Sequence, residues 1–236
     1  MKTNILVIAT TLLLNTTSYG CRIEGSGQTV TETRELETFS GIELKSSANI
    51  YVTQGDKQEV RVEAEDNLIG KITTVIKNNS LVVDADDNIK FTKPVTIYLT
   101  VKDLCLVELT GSGNIVTRSQ FQCEFMSLKL SGSGDIRVMV DSKSLKANLS
   151  GSGNLDLKGS SSETDIRISG SGNIDARELN SFRSAVAISG SGTSTVDVKN
   201  DLNVTITGSG NVFYVEEPGK ISSKIIGSGE ISKLRM

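Results

Sequence analysis

The triplet Gly-Ser-Gly occurs seven times down the last two-thirds of this chain, starting at Gly111, Gly132, Gly151, Gly170, Gly190, Gly208 and Gly227. The steps between copies are 21, 19, 19, 20, 18 and 19 residues. A fixed period of that size marks a repeat architecture, in which each unit buries its apolar face only by stacking on its neighbours. With the first glycine as position 0, position −4 holds Val107, Leu128, Ala147, Ile166, Val186, Val204 and Ser223. Position −2 holds Leu109, Leu130, Leu149, Ile168, Ile188, Ile206 and Ile225. An apolar residue returns at +4 as Ile115, Ile136, Leu155, Ile174, Val212 and Ile231, with Ser194 breaking the pattern. Apolar positions alternate with polar ones, the two-residue period of a half-buried strand. Each unit therefore reads as strand, glycine corner, strand.

A unit this short cannot pack a helix on two strands, but it suits one coil of a parallel β-helix. The expected fold is all-β, a β-solenoid whose coils rise about 4.8 Å each, so that seven make a section roughly 30 Å long. At the corner both glycines share parity with the apolar positions, where a β-carbon would block the converging walls. The intervening serines then point outward, as Ser112, Ser133, Ser152, Ser171, Ser191, Ser209 and Ser228. Beside them stand Asn114, Asp135, Asn154, Asn173 and Asn211 at +3. These two columns form the candidate binding face, and the stacked asparagines are placed to satisfy backbone groups that a corner leaves unpaired. A phosphate-cradling loop would need a helix after the glycines. A calcium β-roll would need regular aspartates, whereas Asp135, Asp156 and Asp175 fall at different offsets. The structural corner is the preferred reading.

Upstream, Ile42 and Leu44, then Ser46-Ser47-Ala48-Asn49, then Ile50 and Val52 fit the same template without its glycines. Gly25-Ser26-Gly27 is a further triplet, but no apolar alternation precedes it. Alternating runs at Val60 to Val62, Leu81 to Val83 and Val95 to Val101 are separated by turn-like Gln54-Gly55-Asp56 and Asn78-Asn79. Only Asn67 to Lys77 has room for a short helix. Residues 28–105 are expected to be an irregular β start to the solenoid with a capping role, and 106–236 its regular coils. Together, residues 21–236 make one domain.

Residues 1–20 read as an export signal: Lys2, an apolar run from Ile5 to Leu14 too short to span a bilayer, then a polar stretch to Gly20. Ser18 and Gly20 suit ordinary cleavage before Cys21; lipidation of Cys21 is the alternative. Three cysteines make an odd count, which is no disulfide scaffold. Cys105 sits at the inward −6 position and reads as a small core residue. Cys123, at −9 with Ser142, Ser161 and Ser181, is expected near an exposed turn, and the different phases argue against a Cys105–Cys123 bridge.

The chain has no His and no Trp, which removes His-based triads and His-ligated metals. Its net charge of −3 gives no basic footprint for nucleic acid. The 28 acidic residues leave carboxylate-pair chemistry open, but no pair stands out. No catalytic residue, metal site or cofactor is assigned, and the mature chain has no apolar run long enough for a transmembrane helix.

The opening Phe39-Ser40-Gly41-Ile42-Glu43-Leu44, the segments Ile50-Tyr51-Val52-Thr53-Gln54-Gly55 and Val60-Arg61-Val62-Glu63-Ala64, and the train of Ser-Gly-Ser-Gly-Asn/Asp-Ile units resemble the putative autotransporter adhesin head domain family, often called the GIN domain. The resemblance covers roughly residues 28 to 235. It implies an exported bacterial protein with a right-handed parallel β-helix and brings no catalytic residue with it. The resulting expectation is a non-enzymatic adhesin-like or envelope-surface binding module. It would sit in the periplasm, outer membrane or cell surface and take a surface glycan or protein as ligand. A purely structural envelope protein and a glycan-processing enzyme are the rival readings.

Overall fold

The computed structural model describes residues 22–86 and 88–235; the segment expected to be an export signal, residues 1–20, and Cys21 lie outside the described residues. The irregular half contributes β1 (Ile23–Glu24), β2 (Thr29–Arg34), β3 (Gly41–Leu44), β4 (Asn49–Gln54), β5 (Glu59–Glu65), β6 (Ile72–Lys77), β7 (Ser80–Ala85), β8 (Ile89–Lys90) and β9 (Thr96–Val101). The repeats contribute β10 (Leu106–Gly111), β11 (Asn114–Gly132), β12 (Asp135–Gly151), β13 (Asn154–Gly170), β14 (Asn173–Gly190), β15 (Thr193–Gly208), β16 (Asn211–Tyr214), β17 (Lys220–Gly227) and β18 (Glu230–Lys233).

From β10 onward every inter-coil pairing is parallel, and residues at equal template positions face each other: Leu149 against Ile168, and Ile168 against Ile188. The chain is a β-solenoid of about seven turns with coils of about 19 residues, as the period requires. In the first six copies the −4, −2 and +4 residues are buried and line one apolar core running from Phe39 to Val212, whereas in the last copy Ser223 and Ile225 are exposed and Ile231 is half-buried. Ser194 lies in that core, between Ile174 and Val212, fully buried.

The two glycines of a triplet do different jobs. Gly151 has φ +120°, a conformation that side chains rarely adopt. Gly153 has room for no side chain at all: a β-carbon there would lie 2.3 Å from the Gly134 carbonyl oxygen and 2.7 Å from Leu130 Cδ2. Of the +3 asparagines, Asn211 serves a corner as expected, accepting the Glu230 N–H at 3.1 Å, but the Gly151 corner draws on no asparagine side chain. Its backbone is satisfied by the coil before, with Ser152 and Gly153 N–H both donating to the Gly132 carbonyl at 3.0 and 3.1 Å, and Asn154 N–H to Gly134 at 3.1 Å. Because each corner repeats the last, the parallel ladder continues through the bend.

A second corner needs no glycine. At Ser162–Glu163 in β13 and Phe182–Arg183 in β14, two successive residues face outward, which resets the alternation. Ser161, Ser181, Thr164 and Ser184 therefore all point inward, 3–5% exposed. This corrects the placement of Cys123 near an exposed turn: its column, Cys123, Ser142, Ser161 and Ser181, faces the interior, and Cys123 packs on the core.

The irregular half holds two degenerate coils, stacked out of chain order. Ile42 and Leu44 lie beneath Val107 and Leu109, and Ile50 and Val52 beneath Ile115 and Thr117, where the template put them. Beyond them, further from the repeats, come Leu81 and Val83 of β7 and Ile97 and Leu99 of β9. Antiparallel strands then replace the parallel ladder: β6 on β7, β5 on β9 and β2 on β5. Such strands end the stack, the service a solenoid terminus needs. The segment with room for a short helix, Asn67 to Lys77, holds a single 3₁₀ turn at Ile69–Lys71 leading into β6. Asn78 and Asn79, with φ 49° and 60°, make the two-residue turn that fixes β6 as a hairpin partner of β7.

Candidate functional site

The corner columns expected from the sequence exist as columns. The seven triplet serines are all exposed. The +3 residues form a part-exposed ladder in which side chains bond each other: Asn114 Nδ2 donates to Asn49 Oδ1 at 2.7 Å, Asn154 to Asp135 Oδ1 at 2.9 Å, and Asn173 to Asn154 Oδ1 at 3.1 Å. Asn211 Oδ1 accepts the Glu230 N–H at 3.1 Å. Much of the ladder's hydrogen-bonding capacity is thus used internally, while the serine hydroxyls face water.

On the other side of the corner lies a feature the sequence reading missed. A shallow groove of about 450 Å³ crosses β11 to β15, lined by the outward −3 and −1 residues. The −1 column is Ser131, Ser150, Ser169, Ser189 and Thr207, all exposed hydroxyls. The −3 column runs Lys129, Asn148, Arg167, Ala187 and Thr205, so the two long basic side chains stand in the earlier coils and the short Ala187 and Thr205 in the later ones. Lys129 is paired with Glu108 in the coil before, and Arg167 with Asp165 at 3.0 Å. The signal was present: position −1 is Ser or Thr in six of the seven copies, nearly as regular as the triplet itself.

Two aromatic side chains also escape burial at the second corner, Phe125 and Phe182, 52% and 49% exposed. Phe182 borders a depression of about 250 Å³ with Asp141, Ser160, Asn180 and Lys199, and the Arg183 guanidinium lies 5.5 Å from its ring centre.

The titratable groups with clear shifts sit elsewhere. Glu65 is fully buried, and its carboxyl is held down at about 2, first by the Thr92 hydroxyl and then by the N–H groups of Thr92, Gly27 and Lys93. A carboxylate so fully engaged is a structural acceptor that ties the N-terminal segment and the loop before β9 to the end of β5. Asp197 is raised by burial, with Glu216 near and Lys199 opposing. Among the described residues no three His, Cys, Asp or Glu side chains converge as metal ligands would, and no helix is long and apolar enough to cross a membrane.

Residues 38–218 match the family described as putative auto-transporter adhesin, head GIN domain. The chain belongs to that family. This GIN-domain chain shares its fold with a putative adhesin from Bacteroides fragilis, 23% identical with a TM-score of 0.83 over 90% of this chain and 100% of that one. A putative lipid binding protein from Parabacteroides distasonis is also 23% identical, with a TM-score of 0.76 over 91% and 100% of the two chains. A putative adhesin from Parabacteroides merdae is 20% identical, with a TM-score of 0.73 over 90% and 99%. At such identities the likeness speaks for the fold alone. No curated protein matches the sequence.

Proposed function

We propose that this GIN-domain chain is a non-enzymatic, adhesin-like binding module that acts outside the cytoplasm, with residues 1–20 as its export signal and 21–236 as its mature domain. The observation that carries this reading is the groove over β11 to β15, where one exposed hydroxyl repeats coil after coil on a rigid wall. Equivalent hydroxyls one coil apart, about 4.8 Å, suit an extended ligand with its own repeat, such as a glycan or a peptide strand. Each contact is weak, about 1 kcal/mol net, so affinity comes from many at once. The triplet serines and the +3 ladder across the corner extend the same polar surface. The family's adhesin description points the same way.

The test is binding to glycan and protein arrays, with and without chelator, using the full chain and a groove-filling variant, Ala187→Trp. The expected result is chelator-insensitive binding that the variant loses while its melting temperature stays unchanged. Absence of any ligand, together with a leaky envelope in a deletion strain, would favour a purely structural envelope role. Mass spectrometry of the envelope fraction places the mature N-terminus: the expected species begins at Cys21 without an acyl chain, and a diacylglyceryl mass there makes the protein a lipoprotein.

A further inference from the structure

The second corner brings two thiols together that their spacing in the repeat seemed to keep apart. Positions −9 and −6 both point inward, because two outward residues lie between them. The −6 residue of one coil therefore meets the −9 residue of the next. Thr164 and Ser181 occupy these positions, and their hydroxyl oxygens lie 2.7 Å apart. Cys105 and Cys123 occupy the same two positions where β10 meets β11, near enough for Cys105 to act on the ionisation of Cys123. A γ-oxygen and a γ-sulfur each sit one bond from Cβ. The Thr164–Ser181 contact thus brings the β-carbons at these positions near the separation a disulfide spans, about 3.5–4.5 Å.

We propose that Cys105 and Cys123 form a disulfide that staples the irregular half of the molecule to the first regular coil. The bond forms by exchange with a disulfide oxidant. The two thiols give up two protons and two electrons, one S–S bond forms between them, and the oxidant's S–S bond is reduced to two thiols. Both cysteines are partly buried and neither is exposed on a flexible end. The Cys105 N–H donates to the Ser40 carbonyl and the Cys105 carbonyl accepts from Ser127, which fixes the residue between the coils on either side. Burial and the neighbouring Cys105 push the Cys123 thiol up to about 12, so Cys123 is almost wholly protonated in the folded reduced protein. Exchange is then slow after folding and fast while the coil is still open. The odd thiol of the three is left as Cys21. The export reading enters only as the source of the oxidant, since thiols are kept reduced in the cytosol.

The experiment refolds the full chain in oxidised and reduced glutathione, blocks free thiols with an alkylating reagent under denaturing conditions, and maps the peptides by mass spectrometry. The expected result is a Cys105–Cys123 linked peptide with Cys21 alkylated or bound to glutathione. Adding reductant should lower the melting temperature on the order of 5–10 °C, and C105S/C123S should abolish that response. Alkylation of both Cys105 and Cys123 after oxidative refolding overturns the proposal, as does their capture as separate glutathione adducts. A T164C/S181C variant built on C105S/C123S serves as a geometric control and is expected to cross-link in the same buffer. If it cross-links while the native pair does not, the register at Cys105 is wrong. If neither pair cross-links, the corner geometry itself is wrong.

Discussion

Gly153 and Ser152 are neighbours in one corner, yet they answer to different constraints. The missing Gly153 β-carbon would collide with backbone as well as with Leu130, and backbone cannot swing aside. Gly153→Val is therefore expected to cost at least the 1–3 kcal/mol typical of overpacking, roughly, whereas Ser152→Ala, on the water side, should stay within about 0.5 kcal/mol. Denaturant unfolding of the two variants checks this, and equal losses would mean the faces are wrongly assigned. Ser194 offers the opposite case. It is fully buried in an Ile–Ser–Val column, and its hydroxyl has no hydrogen-bond partner. Ser194→Val should raise stability by about 1 kcal/mol or more, since it removes an unsatisfied polar group and adds apolar contact. No gain in unfolding free energy would mean that the hydroxyl is satisfied by water. Parity made the faces legible in the sequence, and the slip at Ser194 was legible as a slip. That its hydroxyl is orphaned depends on what the adjacent coils place around it, which no local pattern records.

At the scale of elements, the regular coils were readable and the irregular half only partly so. The template located Ile42, Leu44, Ile50 and Val52 correctly because stacking demands the same parity of every coil. The runs at Leu81 and Ile97 were visible as strands, but their place beyond β3 and β4 is decided by long-range pairing. The 67–77 segment turned into a hairpin strand because Asn78-Asn79 reverses the chain directly onto β7; that dipeptide was the available signal. The facing of Cys123 was misjudged for a similar reason: two outward residues at the second corner shift the phase, and a strict two-residue count cannot see it. Glu65 ties this irregular half together, and its depressed ionisation has a consequence for pH. Its carboxyl falls from an ordinary value of 4.5 to about 2 on folding, so the tether contributes fully above about pH 4.5 and is lost as the pH drops through about 2. Protease susceptibility of residues 22–34 is expected to rise across that window. Glu65→Gln should show raised susceptibility already at neutral pH and a flat response to acid. An acid response unchanged in the variant would assign the loss to other carboxylates.

The whole molecule is a stiff wall on which the same exposed groups recur at the spacing of β-strands, and this governs how it can bind. Ser150, Ser169 and Ser189 lie side by side on consecutive coils, in the same groove and at the same height. A ligand long enough to cross all three makes its second and third contacts at high effective concentration, so affinity should grow with ligand length. Each hydroxyl contact is worth about 1 kcal/mol, or roughly fivefold in affinity. One Ser→Ala change should then weaken a long ligand about fivefold, and the triple change by about a hundredfold. Titration with a length series of the ligand found on the arrays measures both effects. Equal affinity for short and long members would argue for a single compact site, with the Phe182 depression as the next place to look. A triple variant that binds as the parent does would remove the groove from the binding surface altogether. The corner columns were legible because the triplet announces them. The groove was not, because its depth comes from the contrast between Lys129 or Arg167 and the short Ala187 and Thr205 on the same outward column. That is a property of neighbouring coils, which a reading along one coil at a time does not compare.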